Sequence, residues 1–173
     1  MIKDYIQKLV DGADLTYEES TASMKEIMSG EATSAQIGAF LTALRIKGET
    51  SEEITAFTAV MKECCNRIHP QVKGRLVDTC GTGGDKLKTF NISTTAAFVA
   101  AGADVAVAKH GNRSVTSKSG SADVLERLGL NLNIESKKVE KAIETVGVGF
   151  MFAPAFHPAM KYAIGPRREV GIR

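Results

Sequence analysis

Apolar residues in the first third of the chain recur at helical spacing. Ile2, Tyr5, Ile6 and Leu9 share one face of a first helix. Thr16 stands three residues before Glu19, a capping box that opens a second helix running towards Met28, because each side chain can satisfy the other residue's backbone amide. Thr33 or Ser34 can cap a third helix carrying Ile37, Phe40, Leu41 and Leu44. Thr50 or Ser51, followed by Glu52 and Glu53, starts a fourth through Ile54, Phe57, Val60 and Met61. Short amphipathic helices over 1–65 predict a small all-α domain, and their apolar faces suit a docking or dimerisation unit as well as a cap over another domain.

The pattern then changes. Residues 66–74, NRIHPQVKG, contain Pro70 and Gly74 and read as a linker in which His69 is exposed. From Arg75 strands and helices alternate, which predicts an α/β domain over 75–173. Arg75-Leu76-Val77 reads as the end of a short buried strand, Asp104 to Ala108 as a second strand of small residues, and Ala122 to Leu128 as a helix. Ser136 is placed to cap a helix over 137–146, and Val148 to Phe152 reads as a buried strand. His157-Pro158-Ala159-Met160 opens a helix with a break at Gly165-Pro166, and 157–173 can pack back on the helical domain.

Composition narrows the classes. At 173 residues, 43% hydrophobic and 24% charged, the chain can bury a normal core, and a net charge of +2 is too small to argue for nucleic acid or an anionic membrane. Cys64, Cys65 and Cys80 form no CxxC spacing, so buried reduced thiols are the expectation. No run is apolar enough to span a membrane and the start lacks the core of a signal peptide, which points to the cytoplasm.

Candidate chemistry lies in two loops. Asp78 to Thr95, DTCGTGGDKLKTFNISTT, places Gly81, Gly83 and Gly84, which leave no Cβ in a ligand's way, just before Asn91, Ser93, Thr94 and Thr95. The helix expected from Ala96 to Ala101 would then offer free amides and the positive end of its dipole to an anion. A tight strand-to-helix connection that binds nothing has the same local pattern. A second run, Lys109 to Ser121, holds four cationic side chains among hydroxyls and glycines and falls at the same sheet edge, where ligands of open α/β sheets sit. Two such loops imply a substrate with more than one phosphate group.

GTGGD at 81–85, NIST at 91–94, KHGNRS at 109–114 and PRRE at 166–169 occur together and in order. With them the chain resembles the amino-terminal half of the anthranilate phosphoribosyltransferase family, from its first helices to its last residue. The resemblance implies a nucleoside phosphorylase/phosphoribosyltransferase-like fold: a small all-α domain that makes a homodimer contact, followed by an α/β catalytic domain that is incomplete here. It also implies transfer of the phosphoribosyl group of 5-phosphoribosyl-1-diphosphate to anthranilate, in tryptophan biosynthesis, with Mg2+. A fragment of this kind is expected to be inactive alone, and the acidic magnesium ligands are expected outside it.

Carried over by motif, the donor contacts are Gly81, Gly84, Asp85, Thr89, Asn91, Ile92, Ser93 and Thr94. The second loop adds Lys109, His110, Gly111, Asn112, Arg113, Ser114, Val115, Thr116, Ser117 and Ser121. Ser93 would also give its hydroxyl to magnesium. Gly81, Asn112 and Arg167 would hold anthranilate, Arg167 as a planar fork on its carboxylate, with His110 and His157 near its path. The bland alternatives are an exposed helix face for Arg167, a helix-start residue for His157 and a core histidine for His110. Lys86 departs from the glycine that many family members have after the aspartate. No residue is assigned as acid or base. A pyrimidine nucleoside phosphorylase-like enzyme fits the glycine loop but not KHGNRS, and a nucleic-acid-binding relative does not fit the near-neutral charge.

Overall fold

In the computed structural model, residues 1–81, 90–114 and 119–172 are described. Their elements run α1 (Ile2–Val10), α2 (Tyr17–Ser29), α3 (Ser34–Lys47), α4 (Ser51–Glu63), β1 (Leu76–Val77), α5 (Ile92–Gly102), β2 (Ala106–Gly111), α6 (Ser121–Arg127), α7 (Ser136–Val146), β3 (Val148–Phe152), α8 (Ala153–Phe156), a 3-10 turn (Pro158–Met160) and α9 (Lys161–Glu169). They form two compact units. One comprises Met1–Cys65 and the segment from His157, the other Asn66–Phe156. No helix of the described residues is long and apolar enough to cross a membrane.

The helical unit is built by its caps. Thr16 with Glu19, Thr33 with Gln36 and Thr50 with Glu53 each form a complete capping box, which sets where α2, α3 and α4 begin. Ile2, Leu9, Leu15, Ile27, Ile37, Phe40, Leu44 and Phe57 then close one core, with Phe40 and Phe57 packed edge to face. α9 joins this core through Ala163. α2 ends on Gly30 at φ +83, and a Cβ there would come within 2.6 Å of the Tyr162 ring, so glycine is needed both for the left-handed turn and for the approach of α9. The break expected at Gly165-Pro166 does not occur: α9 runs through Pro166, whose side chain is buried. The proline gives up one donor without ending so short a helix.

Glu53 is the buried ion of this unit. Fully enclosed on α4, it accepts hydrogen bonds from the amides of Leu15 (2.9 Å) and Thr50 (2.8 Å) and from Lys47 Nζ (2.9 Å), which also reaches Asp14 at 2.7 Å. Burial acts to raise the Glu53 carboxyl, but the amides of Thr50 and Leu15 and the Lys47 ammonium outweigh it and hold it below the ordinary carboxylate value. One carboxylate thus fixes the α1–α2 connection, the end of α3 and the start of α4.

The second unit is a parallel sheet in the order β1-β2-β3 among the described residues. Ala106 and Ala108 face α7 with Val139, Ile143 and Phe156, while Phe150 faces the opposite way with Ala122, Leu125 and Leu132. Several expectations shift. Leu76 and Val77 are a strand but remain 42% and 37% exposed, because β1 pairs on one side only among the described residues. The second strand begins later and runs on to Gly111. Ser136 is the first residue of α7 rather than its cap, which is Glu135. Residues 66–74 are not a free linker. They belong to the sheet unit, where His69 and Gln71 donate their amides to Glu140 (2.6 Å) and Glu144 (3.0 Å) of α7.

Tyr5, Tyr17 and Tyr162 are the chain's three tyrosines, all in the helical unit, and there is no tryptophan. Tyrosine fluorescence in urea therefore follows this unit. Glu53→Ala is expected to cost about 3–5 kcal/mol, because it strips the charge that Lys47 and two amides are built around. Lys25→Ala removes only the exposed 3.5 Å pair with Glu63 and should change stability by less than about 1 kcal/mol. A depressed Glu53 carboxyl contributes stability that is present above its unfolded pKa and is lost as pH falls through its folded one. The acid limb of the stability curve should accordingly flatten in Glu53→Ala.

Candidate active site at the carboxyl edge of the sheet

The first loop leaves β1 through Asp78. Its Oδ1 accepts the amides of Cys80 (2.8 Å) and His110 (3.2 Å), tying the turn to β2. Thr79 Oγ1 donates to the Ser93 carbonyl at 2.8 Å, and a Cβ on Gly81 would stand 3.3 Å from Ser93 Oγ. Gly81 therefore leaves the Ser93 hydroxyl uncovered. Gly84, Asp85 and Thr89, with the rest of 82–89, lie outside the described residues.

α5 begins at Ile92, four residues before the expected start, so Ser93, Thr94 and Thr95 occupy its first turn instead of preceding it. Asn91 holds the cap position without making a capping bond; its Nδ2 donates instead to the Ser119 carbonyl at 3.2 Å. That contact joins the two loops and leaves the first-turn amides without a side-chain cap, the arrangement that favours an anion. Ile92 is exposed. Thr94 is buried, 4% exposed, and packs inward.

Lys109, His110 and Gly111 end strand β2 and are not loop residues. Lys109 shares a sheet face with its register partner Phe150 and is 4% exposed, yet its ammonium makes no hydrogen bond or ion pair among the described residues. Burial pulls its pKa down, with Asp78 and Cys80 acting the other way. A cation held there is open to an anion arriving at the strand end. His110 Nδ1 lies 4.0 Å from Cys80 Sγ. Cys80 is exposed and Cys64 and Cys65 half-buried, contrary to the buried thiols expected, because each stands at the end of its element.

Beyond β2 the chain turns tightly. A Cβ on Gly111 would meet Ser121 Oγ and the Phe150 ring, and Ser121 Oγ donates to the Asn112 carbonyl at 3.3 Å. Asn112 Oδ1 accepts the Arg113 amide at 2.8 Å. Arg113, expected on the donor, is committed elsewhere: its guanidinium forks onto Glu126 at 2.7 and 2.8 Å, reaches Asp123 at 3.1 Å and lies 5.9 Å from the Phe152 ring. The Glu126 and Asp123 carboxylates raise its pKa further. Asp123 Oδ2 also accepts the amides of Ser114 (3.0 Å) and Gly120 (2.7 Å). Val115, Thr116 and Ser117 lie outside the described residues.

Asp78 and Asp123 had no role assigned from sequence. Both spend their carboxylates on backbone amides, and the only early signal was the position of Asp123 three residues after Gly120, at a helix start. Arg167 is exposed in the last turn of α9, in the helical unit, and His157 lines a small pocket of that unit with Met28, Met61, Cys64 and Met160.

Residues 73–173 match the a/b domain of the glycosyl transferase family, and residues 3–65 its helical bundle domain. The chain belongs to this glycosyl transferase family. It is 58% identical over 173 residues to an anthranilate phosphoribosyltransferase of Methanocorpusculum labreanum, covering 100% of this chain and 51% of the relative. The enzyme of that name from Thermus thermophilus superposes with a TM-score of 0.80 at 42% identity, over 97% of this chain and 51% of that one. Anthranilate phosphoribosyltransferase from Saccharomyces cerevisiae in complex with PRPP and Mg gives 0.86 at 28% identity, over 99% and 52%. The chain spans about half the length of the relatives it matches.

A Cβ on Gly120 would press into the backbone from Asn112 to Ser114, which cannot yield as a flexible side chain would. Gly120→Ala is therefore expected to destabilise the sheet unit by about 1–3 kcal/mol. Hydrogen exchange at β2 and β3 amides would show the loss, while tyrosine fluorescence of the helical unit stays unchanged.

Proposed function

We propose that the chain serves a phosphoribosyl transfer from 5-phosphoribosyl-1-diphosphate to anthranilate, yielding N-(5-phosphoribosyl)anthranilate and diphosphate in tryptophan biosynthesis. The observation that carries this reading is the buried ammonium of Lys109, unpaired among the described residues, at the same sheet edge as the uncapped start of α5. A cation and a helix start that no side chain caps, with the Ser93 amide, among the described residues, the one left over from Ile92 to Thr95, suit the diphosphate of the donor, and the names of the similar proteins support the identity of donor and acceptor.

In this mechanism the Ser93 amide, at the positive end of α5, and Lys109 hold the donor diphosphate and stabilise the charge that grows on it as it leaves C1 of the ribose. Gly81 keeps the way to Ser93 clear. Gly81 and Asn112 stand beside the acceptor, whose amine attacks C1 from the face opposite the departing group, while Arg167 is assigned to the acceptor carboxylate on its PRRE motif alone. Arg113 holds the second loop in place instead of binding phosphate.

Among the described residues no three His, Cys, Asp or Glu side chains gather into a metal site. Ser93 would give its hydroxyl oxygen to a magnesium ion, a hard cation that prefers oxygen ligands. Bound there, Mg2+ would neutralise charge on the leaving diphosphate.

The helical unit also presents a groove of about 600 Å³ lined by Val10, Ala35, Gly38, Thr42, Ile46 and Val170. Ile46 is 81% and Val10 64% exposed, so we assign this face to a second copy of the chain in a cytoplasmic homodimer.

The chain, fused to the part of the M. labreanum relative that it does not cover, should release diphosphate from the donor only when anthranilate is present; release indifferent to anthranilate would sink the reading. In that protein Lys109→Met should raise the KM for donor at least about tenfold, the loss of a charge-assisted contact worth about 1.5–3 kcal/mol. Arg167→Ala should raise the KM for anthranilate and leave that for donor alone, whereas Arg168→Ala, pointing elsewhere on the helix, should do neither. Ile46→Glu and Ala39→Glu, the latter on α3 in the same groove, should convert a dimer to a monomer in sedimentation; an unchanged mass would remove the groove as the contact.

A further inference from the structure

We infer that Asp123 is a positioning residue for the donor site, holding the two ends of the second loop through one carboxylate oxygen. This rests on the functional reading above. Asp123 is the third residue of α6, and its bond to the Gly120 amide at 2.7 Å is an ordinary way to start a helix. The bond to the Ser114 amide at 3.0 Å is not local, since it reaches nine residues back along the chain. Residues 114 and 120 are thereby set at a fixed separation by a single atom.

The other carboxylate oxygen has a second task. Oδ1 accepts from Arg113 at 3.1 Å, and Glu126 takes the rest of that guanidinium bidentately. Without these partners Arg113 would be the natural ligand for a phosphate at this edge. With them, the buried cation left for an arriving anion among the described residues is Lys109. The amides of Ser114 and Gly120 are likewise turned to Asp123, so the carboxylate fixes the backbone at these two residues without offering itself to the substrate. The Asn112 carbonyl adds to the frame by accepting from the amide of Ala122 at 3.2 Å and from Ser121 Oγ at 3.3 Å. Asp123 therefore acts on the donor through Ser114, Gly120 and Arg113.

The test compares Asp123→Ala and Asp123→Asn with the unaltered chain, each fused as above to the uncovered part of the M. labreanum relative, using calorimetric binding of 5-phosphoribosyl-1-diphosphate with magnesium and hydrogen exchange of individual amides. Alanine removes both acceptors; asparagine keeps one oxygen for the two amides and loses the charge. We expect Asp123→Ala to weaken binding at least tenfold and to lose protection at Ser114 and Gly120, with the amides of β2 and β3 still protected. Asp123→Asn should recover most of the affinity. Equal binding by Asp123→Ala and the unaltered chain would overturn the inference. So would weak binding in both variants accompanied by loss of protection across β2 and β3, since that marks support of the fold and not positioning. If the unaltered fused protein itself binds no donor, the functional reading fails and this inference falls with it, a result distinguishable because the amide protection still reports whether Asp123 holds Ser114 and Gly120.

Discussion

Lys109 stands on the middle strand of a parallel sheet, where a burial of all but 4% would ordinarily select an apolar residue. Removing an ammonium from water is costly unless a counter-charge or hydrogen bonds offset the loss, and its lowered pKa records that cost. The neighbouring features fall into place around this constraint. Asp78 ties the first turn to the same strand through the His110 amide, Asn91 joins the start of α5 to the second loop, Gly81 keeps a side chain off Ser93, and Gly111 lets Ser121 and Phe150 pack closely. Among the described residues, this sheet edge holds an unsatisfied cation beside a helix start that no side chain caps, and an anion can answer both.

Glu53 and Lys109 are buried ions with opposite outcomes. Glu53 is surrounded by Leu15, Thr50 and Lys47, so its charge is spent on joining connections of the helical unit. Lys109 has no such set of partners among the described residues. A satisfied buried ion reads as architecture, and an unsatisfied one at a sheet edge reads as a place for a ligand. Arg113 follows the first pattern although its motif suggested the second: a bidentate pairing with Glu126 leaves its fork occupied.

The two units do not follow chain order. The a/b family match runs over 73–173, yet the segment from His157 packs with the first four helices, and residues 66–72 lie with the sheet unit although they precede that match. Small residues explain the first exchange, since Gly30 and Gly38 let Tyr162 and Val170 approach α2 and α3 closely. Two glutamates of α7 explain the second by accepting the amides of His69 and Gln71. Arg167 consequently belongs to the helical unit, whereas Gly81 and Asn112 belong to the sheet unit.

Local features were legible in the chain before it was folded. The capping box at Thr16 is read within four residues, the next two caps narrow to Thr33 or Ser34 and Thr50 or Ser51 before the structure selects the threonines, and the spacing of Ile37, Phe40, Leu41 and Leu44 marks one helix from its own pattern. The four motifs likewise identified the family, because residue types in order need no fold to be compared. Whatever depends on a distant partner was settled in three dimensions. Lys109 and His110 look like loop residues until β3 pairs with them; Arg113 looks like a phosphate ligand until Glu126, thirteen residues on, takes its fork. Asp123 looked unassigned until it met the Ser114 amide. Polar side chains have several possible partners each, and only the folded chain selects among them.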